Sequence, residues 1–284
     1  MTSVAASRER AVEASSASAP TTPGDGRVNN FRCDFSTKTI VVTGGARGIG
    51  AGVVDAFLTV HRAKRVYSVS RSTPDGVVPG SNGRLIGISA DLSTEGGVGR
   101  VKEVIGDEVV HVCIHNSGTS WGEALETHDG WSKTMDLNVV GTFRLTRALL
   151  PNLIQGSRTD DPARVIIIGS IAGIRPQKYP TFSYDASKAA LHHLALKLAD
   201  EFASARKLDI TVNVIAPGYI PTKMSAQLST YGESQDEIVK QSVPLRRAGA
   251  PQDVADACAF LASSGASWIT GVVLPIDGGF LAKL

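Results

Sequence analysis

Residues 40–50 read Ile-Val-Val-Thr-Gly-Gly-Ala-Arg-Gly-Ile-Gly, and this stretch decides the fold. A short run of β-branched residues is typical of a buried strand, and the glycines after it allow a tight turn. The segment that follows, about 49–60, has the pattern of a helix. A glycine-rich turn between a strand and a helix can bring backbone N–H groups against a pyrophosphate at the helix N-terminus. Such loops also simply connect elements, but the position of this turn between the first strand and the first helix favours a dinucleotide-binding role.

The same alternation continues toward the C-terminus. Short apolar, mostly uncharged runs predict strands, and the longer amphipathic segments between them predict helices. The predicted strands are 40–42, 66–69, 85–89, 110–115, 165–169, 210–215 and 272–276, and the predicted helices are 49–60, 95–106, 131–153, 184–205, 235–243 and 251–263. Strict alternation implies a parallel sheet with right-handed crossovers. We therefore predict an α/β, doubly wound (Rossmann) fold with a single domain over residues 37–284.

The first thirty residues differ in composition from the rest, being rich in Ala and Ser with few large apolar groups. Such a segment cannot bury enough surface to offset its ordering entropy, so we predict a disordered tail over residues 1–36. Arg8, Arg10 and the serines suggest an organelle transit peptide. Glu9 and Glu13 argue against one, because transit peptides avoid acids. The role of the tail, import included, stays open.

Composition narrows the function classes. The chain has 284 residues, 42% of them hydrophobic, and its 29 Lys and Arg against 27 Asp and Glu give a net charge of +2. This balance gives no electrostatic case for nucleic acid or an acidic membrane surface. Three widely spaced cysteines favour a reducing compartment, the cytoplasm, over a disulfide framework or a zinc cluster. No metal site is expected.

The end of the second predicted strand bears on the choice of dinucleotide. An NAD site typically places Asp or Glu there to accept from the ribose 2′-hydroxyl, but this strand ends Val-Ser-Arg at 69–71. Arg47 in the turn and Arg71 after the strand could instead clamp a 2′-phosphate, unless both are solvated surface charges. The missing acid favours NADP(H). Asp91, beside Leu92 after the third strand, is placed to accept from the adenine amine.

A tyrosine and a lysine lie one helical turn apart, at Tyr184 and Lys188. The i,i+4 spacing places them on one helix face, where the ammonium favours the phenolate and lowers the tyrosine pKa. The same spacing is common on surface helices. Ser170 ends the fifth strand, at the edge of the sheet where ligands bind. Asn138, within a long predicted helix, could bind a structural water or satisfy a buried backbone group.

Taken in their order along the chain, these motifs resemble those of the short-chain dehydrogenase/reductase family over residues 37–284. The matching motifs are TGGARGIG at 43–50, DL at 91–92, HNSG at 115–118, Asn138, Ser170, YDASK at 184–188 and PGYIPT at 217–222. The stretches at 116–122, 161–166, 187–192, 213–218 and 275–280 are most similar to the rhamnolipid-type 3-oxoacyl-[acyl-carrier-protein] reductases.

The resemblance implies roles for particular residues. Tyr184 would donate a proton to the carbonyl oxygen, Lys188 would hold the nicotinamide ribose, Ser170 would bind the carbonyl, and Asn138 would hold a relay water. Thr222 would bind the nicotinamide carboxamide. The implied cofactor residues are Gly44, Arg47, Gly48, Ile49, Gly50, Arg71, Asp91, Leu92, Asn116, Gly118, Asn138, Tyr184, Lys188, Pro217, Gly218, Ile220 and Thr222.

One departure from the family pattern lies in its Asn-Asn-Ala-Gly motif, which reads His115-Asn116-Ser117-Gly118 here, so that the first amide is an imidazole and the alanine a hydroxyl. We expect it to alter ribose packing rather than catalysis. The segment 219–247 corresponds to the family's substrate loop. Its apolar residues form a lid over the substrate or simply pack the helix: Met224, Leu228, Tyr231, Ile238 and Val239. Trp121 could line the same pocket or anchor a packing cluster, and Arg246 and Arg247 could meet a phosphopantetheine or remain solvated.

The predicted function is NADPH-dependent reduction of a ketone, either a 3-oxoacyl thioester or a secondary-metabolite ketone. An NADP+-dependent alcohol or polyol dehydrogenase is the enzymatic alternative. A non-catalytic, dinucleotide-sensing regulator would keep the fold but has no need of a proton donor. The resemblance also implies a homodimer or homotetramer formed largely through the helices 131–153 and 184–205 and the C-terminal strand.

Overall fold

The architecture is that of a computed structural model, which describes residues 33–73, 75–122, 125, 130–226 and 234–283. Its centre is a sheet with the strand order β3-β4-β2-β1-β5-β6-β7-β8. The strands are β1 (Thr39–Thr43), β2 (Arg65–Ser70), β3 (Gly76–Val77), β4 (Leu85–Ser89), β5 (Val112–His115), β6 (Ala163–Ile168), β7 (Ile210–Pro217) and β8 (Val273–Ile276). Neighbouring strands pair in parallel except β3, which runs antiparallel to β4.

Helices cover both faces of the sheet. They are α1 (Gly48–Thr59), α2 (Glu95–Ile105), α3 (Trp131–Met135), α4 (Thr142–Gln155), α5 (Phe182–Asp200), α6 (Gln235–Ser242) and α7 (Pro251–Ala262). One buried cluster joins the sheet to α2, α4 and α5, and a second joins it to α1 and α7. The central strands therefore lose water on both faces, which is why their sequences are mainly apolar and β-branched. The predicted doubly wound parallel fold is confirmed.

Three features of the fold depart from the sequence prediction. The helix predicted over 184–205 ends as α5 at Asp200, and a π-helical turn follows it at Glu201–Ala205. The helix predicted over 131–153 is divided, because a π-helical turn at Asp136–Gly141 separates α3 from α4. The short strand β3 was not predicted, because its two exposed residues carry no apolar periodicity. None of the helices in the described parts of the chain combines the length and the apolar character needed to cross a bilayer.

The ordered domain begins before the predicted boundary at residue 37. Phe35 is 3% exposed, its ring lies 5.1 Å from that of Phe57, and its N–H donates to the carbonyl of His61 at 2.9 Å. These contacts attach residues 33–36 to the outer side of α1. The remainder of the predicted tail lies outside the described residues, and its disorder stays a prediction.

The strand order reverses at β1, which pairs with β2 on one side and with β5 on the other. In an open parallel sheet this switch point leaves a crevice beyond the carboxyl ends of the strands. The glycine turn follows β1, residues 116–118 follow β5, and Ser170 follows β6. The topology thus brings three of the predicted motifs to one edge of the sheet.

Candidate active site

The glycine turn has the geometry of a phosphate cradle. Gly44 and Gly48 have φ angles of 65° and 56°, a region that glycine adopts without the steric cost of a Cβ. A Cβ on Gly44 would lie 2.7 Å from the Asn116 side-chain nitrogen. Arg47, the N-cap of α1, makes no side-chain cap, so its side chain does not satisfy the first N–H groups of the helix. The turn therefore fits an anionic pyrophosphate.

Asn116 connects this turn to the end of β5. Its side-chain amide donates to the carbonyls of Thr43 at 3.0 Å and Gly44 at 3.2 Å. The Thr43 hydroxyl in turn accepts from the backbone N–H groups of Asn116 and Ser117, each at 2.9 Å. The structure thus assigns Asn116 a bracing contact across the switch point.

His115 faces away from the cavity. Its ring is 3% exposed and its Nε2 lies 2.8 Å from the hydroxyl of Thr146 on α4 and 3.5 Å from the Cys113 sulfur. Burial lowers the pKa of His115 to about 4, so the ring is neutral. The expected effect of this residue on ribose packing is therefore wrong for its side chain, which packs into the core between the sheet and α4.

Charged groups lie at the outer end of the crevice. Arg47 and Arg71 are exposed, and neither guanidinium has a hydrogen-bond or ion-pair partner within the described residues. Asp91 accepts from the hydroxyl of Ser93 at 2.7 Å and from its N–H at 3.0 Å. These bonds to Ser93, together with the charge of Arg71, hold the pKa of Asp91 below its usual range. Leu92 beside it is buried.

Asn138 lies in the π-helical turn and is fully buried. Its Oδ1 accepts from the Thr119 N–H at 2.8 Å, and its Nδ2 donates to the Thr119 carbonyl at 3.0 Å and to the Ser187 hydroxyl at 2.9 Å. Of the two roles left open by the sequence, satisfying buried backbone groups is the one these contacts show. The π-helical turn places this amide beside Thr119 in the segment after β5, and π-turns of this kind are frequent at functional sites.

Tyr184, Ser170 and Lys188 meet at the edge of one cavity. The Ser170 hydroxyl hydrogen-bonds the Tyr184 side chain and also accepts from the Ala172 N–H at 3.1 Å. The Lys188 Nζ lies 5.5 Å from the centre of the Tyr184 ring and donates to the Ile168 carbonyl at 2.9 Å. A Cβ on Gly118 would lie 3.7 Å from this Nζ. The two halves of the predicted tyrosine–lysine pair thus share the site with the end of β6.

The electrostatics of this group correct one prediction. Burial raises the pKa of Tyr184, and its hydrogen bond with Ser170 offsets part of that shift. Burial also lowers the pKa of Lys188 to about 8. The prediction that the ammonium lowers the pKa of the tyrosine is wrong for this structure, because the loss of water penalises the charged form of both groups. A high pKa keeps the phenol protonated at neutral pH.

The cavity has a volume of about 370 Å³. Ten of the predicted site residues line it: Ile49, Asn116, Gly118, Ser170, Tyr184, Lys188, Pro217, Gly218, Ile220 and Thr222. The others lie in the turn, at the outer end of the crevice, or behind the cavity wall: Gly44, Arg47, Gly48, Gly50, Arg71, Asp91, Leu92 and Asn138. The methyl group of Thr222 would lie 3.4 Å from a Cβ on Gly48, so the segment after β7 crosses the glycine turn.

Sequence reasoning missed one wall of the cavity. It is formed by the loop between Ser170 and Tyr184 and by the C-terminal segment, through Arg175, Pro176, Gln177, Lys178, Tyr179 and Phe280. No motif marks these residues. Met224 lines the cavity as predicted, whereas Trp121 does not and packs beneath the Lys133 ammonium at 5.0 Å.

Three of the predicted lid residues have side chains outside the described part of the structure. Leu228 and Tyr231 lie outside the described residues, as does the side chain of Ile238. Arg247 is engaged elsewhere, in a two-point ion pair with Asp253 at 2.9 and 3.1 Å.

The chain is similar to known proteins over most of its length. The model of the family described as enoyl-(acyl carrier protein) reductase matches residues 44–281. The chain is 38% identical over 248 residues to the rhamnolipids biosynthesis 3-oxoacyl-[acyl-carrier-protein] reductase of Pseudomonas aeruginosa, an alignment covering 84% of this chain and 94% of that protein. It is 30% identical over 253 residues to the 3-oxoacyl-[acyl-carrier-protein] reductase FabG of Escherichia coli, covering 87% and 98%.

A solved structure, the Pseudomonas aeruginosa RhlG/NADP active-site complex, superposes with a TM-score of 0.75 at 35% identity, covering 87% of this chain and 97% of that one. The chain belongs to the short-chain dehydrogenase/reductase family.

Proposed function

We propose that this protein is an NADPH-dependent reductase that converts a 3-oxoacyl thioester to the secondary alcohol. The observation that carries the proposal is the convergence of Tyr184, Ser170 and Lys188 on one cavity whose other wall holds Asn116 and Thr222. A protonated phenol, a hydroxyl and a buried ammonium are the groups that carbonyl reduction requires beside a hydride donor. A protein that only sensed the dinucleotide would have no need of the proton donor Tyr184.

The residues present fit NADP(H). The glycine turn and the N-terminus of α1 would hold the pyrophosphate, and Arg47 and Arg71 would hold the 2′-phosphate from two sides. Asp91 would accept from the adenine amine. The NADP-bound relative described above supports this choice. When bound, NADPH supplies the hydride that the substrate carbonyl carbon accepts.

Tyr184 is the proton donor. Its raised pKa keeps the phenol protonated at neutral pH, and its hydroxyl lies beside that of Ser170, so both can reach one carbonyl oxygen. As negative charge develops on this oxygen, the Ser170 hydroxyl donates a hydrogen bond and Tyr184 transfers its proton. One hydride and one proton are thus added across the carbonyl, which leaves the secondary alcohol.

Lys188 orients the cofactor and returns a proton to Tyr184. Its Nζ uses one hydrogen bond on the Ile168 carbonyl, which leaves two donors for the ribose hydroxyls. A Cβ on Gly118 would lie 3.2 Å from Asn138 Oδ1 and 3.7 Å from Lys188 Nζ, so a side chain here would fill the space between them. We assign that space to the water that relays protons from solvent, with Asn138 fixing its position through the Thr119 backbone.

The substrate class follows from the cavity wall and the relatives. Ile171, Ala172, Tyr179, Met224 and Phe280 give the wall beyond Ser170 a mainly apolar character, which suits an acyl group. The curated relatives named above are 3-oxoacyl-[acyl-carrier-protein] reductases. A 3-oxoacyl thioester carries its ketone at C3, with one methylene between it and the thioester carbonyl and the rest of the acyl chain on the other side.

Assembly and compartment are part of the proposal. Four large apolar side chains on α4 and α5 are more than 40% exposed: Phe143, Ile154, Phe182 and Leu196. Exposed apolar residues on adjacent helices support a homodimer or homotetramer formed through these helices. We place the enzyme in the cytoplasm, where thioester substrates and NADPH are available and its three free thiols stay reduced.

The test measures NADPH consumption with acetoacetyl and longer 3-oxoacyl thioesters, a panel of other ketones, and NADH for comparison. We expect turnover with NADPH, and Tyr184→Phe should lower kcat by about 10²-fold or more while NADPH binding stays near the wild-type value, because only the proton donor is lost. Tight NADPH binding without consumption on any ketone would instead identify a dinucleotide sensor. Full activity in Tyr184→Phe would contradict the assigned proton donor.

A further inference from the structure

The wall of the cavity includes two residues more than a hundred positions apart, Arg175 and Phe280. The guanidinium carbon of Arg175 lies 4.7 Å from the centre of the Phe280 ring. The same guanidinium donates to the Phe280 carbonyl at 3.0 Å and to the Lys283 carbonyl at 3.3 Å. A planar guanidinium on an aromatic face adds cation–π attraction to these two bonds. The ring is therefore held on one face and through its own backbone.

The turn that follows β8 fixes the direction of Phe280. The Asp277 carboxylate accepts from the N–H groups of Gly279 at 2.8 Å and Leu281 at 2.9 Å, and the Asp277 carbonyl accepts from the Phe280 N–H at 3.3 Å. Gly279 has a φ of 89°, which favours glycine. These bonds fix the backbone on both sides of the ring, so Phe280 projects from an ordered turn.

The C-terminal segment also contacts the segment that contains α6. The Lys283 ammonium donates to the Gln241 carbonyl near the end of α6, and the Leu245 N–H donates to the Gly278 carbonyl at 3.0 Å. Residues 277–283 therefore bridge the loop that carries Arg175 and the segment that contains α6. Swinging Phe280 away from the cavity would break contacts on both sides at once.

We propose that Phe280 is a specificity-determining residue that limits the length of the acyl group, and that Arg175 is the positioning residue that holds it in place. This inference rests on the proposed function, since it concerns the acyl chain of the same substrate. A volume of about 370 Å³ lies near the lower end of the range for small-molecule sites, roughly 300–1,000 Å³. A bound nicotinamide would take part of this space, so a ring held fixed in the cavity wall would leave room for a short acyl chain.

The test compares kcat/KM for acetoacetyl, 3-oxooctanoyl and 3-oxododecanoyl thioesters with saturating NADPH. The wild-type enzyme should prefer the shortest. Phe280→Ala should raise the ratio of kcat/KM for the longest over the shortest substrate by roughly tenfold or more, because the removed ring frees space for several methylenes. Phe280→Leu should give a smaller shift in the same direction. Phe260→Ala is the matched control, since Phe260 is 39% exposed on α7 and does not line the cavity.

Arg175 is tested through its effect on Phe280. Arg175→Lys keeps the positive charge but loses the planar guanidinium, which donates to the Phe280 and Lys283 carbonyls and stacks on the Phe280 ring. It should shift the chain-length preference in the direction of Phe280→Ala by a smaller factor. In the double variant the shift should equal that of Phe280→Ala alone, because the contact that Arg175 makes no longer exists. A general loss of folding would lower activity on all substrates without this pattern.

The outcomes separate the inference from the proposed function. If Phe280→Ala reduces acetoacetyl thioester with the chain-length profile of the wild type, Phe280 does not limit chain length. Additive shifts in the double variant would show that Arg175 does not act through Phe280. Thermal shifts of the NADPH-loaded protein with the same thioesters report chain-length preference without turnover, and a profile unaffected by Phe280→Ala overturns the inference there too. A wild-type protein that consumes no NADPH with any ketone contradicts the proposed function instead.

Discussion

Tyr184 and Lys188 show how a site can be recognised from sequence while its electrostatics depend on structure. Their i,i+4 spacing is common on surface helices, and it was the resemblance of the ordered motifs to the short-chain dehydrogenase/reductase family that singled out this pair together with Ser170. The direction in which the pKa of Tyr184 shifts could not be predicted from the sequence, because it depends on how much water the fold removes around the ring. A phenol with a raised pKa suits a proton donor, which agrees with the reductive direction proposed here.

The shifted pKa of Lys188 predicts the pH dependence of reduction. Its ammonium is charged below a pKa of about 8 and loses its proton as the pH rises through that value, whereas the raised pKa of Tyr184 keeps the phenol protonated over the same range. With saturating NADPH, kcat should therefore be level below about pH 8 and fall above it. Stopped-flow measurement of hydride transfer across this range checks the profile. A rate that climbs through pH 8 would show that neutral lysine is the active form.

At the scale of elements, the strands and helices were predicted well because each carries its own periodicity. The glycine turn could be predicted equally well, because a strand, a segment with four glycines and a helix follow one another directly. The π-helical turn at Asp136–Gly141 was not, because nothing local distinguishes it from the helix on either side. What separates them is the contact of Asn138 with Thr119, a residue brought there by the loop after β5.

The cofactor turn makes a prediction at this scale. Gly44→Ala should weaken NADPH binding by at least tenfold and lower stability by about 1–2 kcal/mol, because alanine is strained at a φ of 65° and its Cβ would meet Asn116. Titration calorimetry and thermal melts measure the two effects. Gly99→Ala in α2 is the control: its Cβ would meet nothing within 4 Å, so stability should hold or rise slightly. Equal affinities in the two variants would argue against the assigned cradle.

At the scale of the whole molecule, the start of the domain sets a boundary for truncation. Deleting residues 1–32 should leave folding and catalysis unchanged. Deleting residues 1–36 also removes Phe35, whose burial against Phe57 and His61 is worth about 2–3 kcal/mol. For a domain of this size we expect Tm to fall by roughly 4–10 °C. Differential scanning calorimetry of the two truncations decides the point, and identical Tm values would place Phe35 outside the cooperative unit.

The sequence by itself determined the alternation of strands and helices, the glycine turn, and the identity of the tyrosine, lysine, serine and asparagine, because each is written in a short stretch of neighbouring residues. Only the tertiary structure decided that Asn116 braces the turn, that His115 packs into the core, and that Arg175 meets Phe280 at the end of the cavity. Each of these contacts joins residues distant along the chain. Their energies arise from burial and close packing, which exist only once the sheet has brought its strands together.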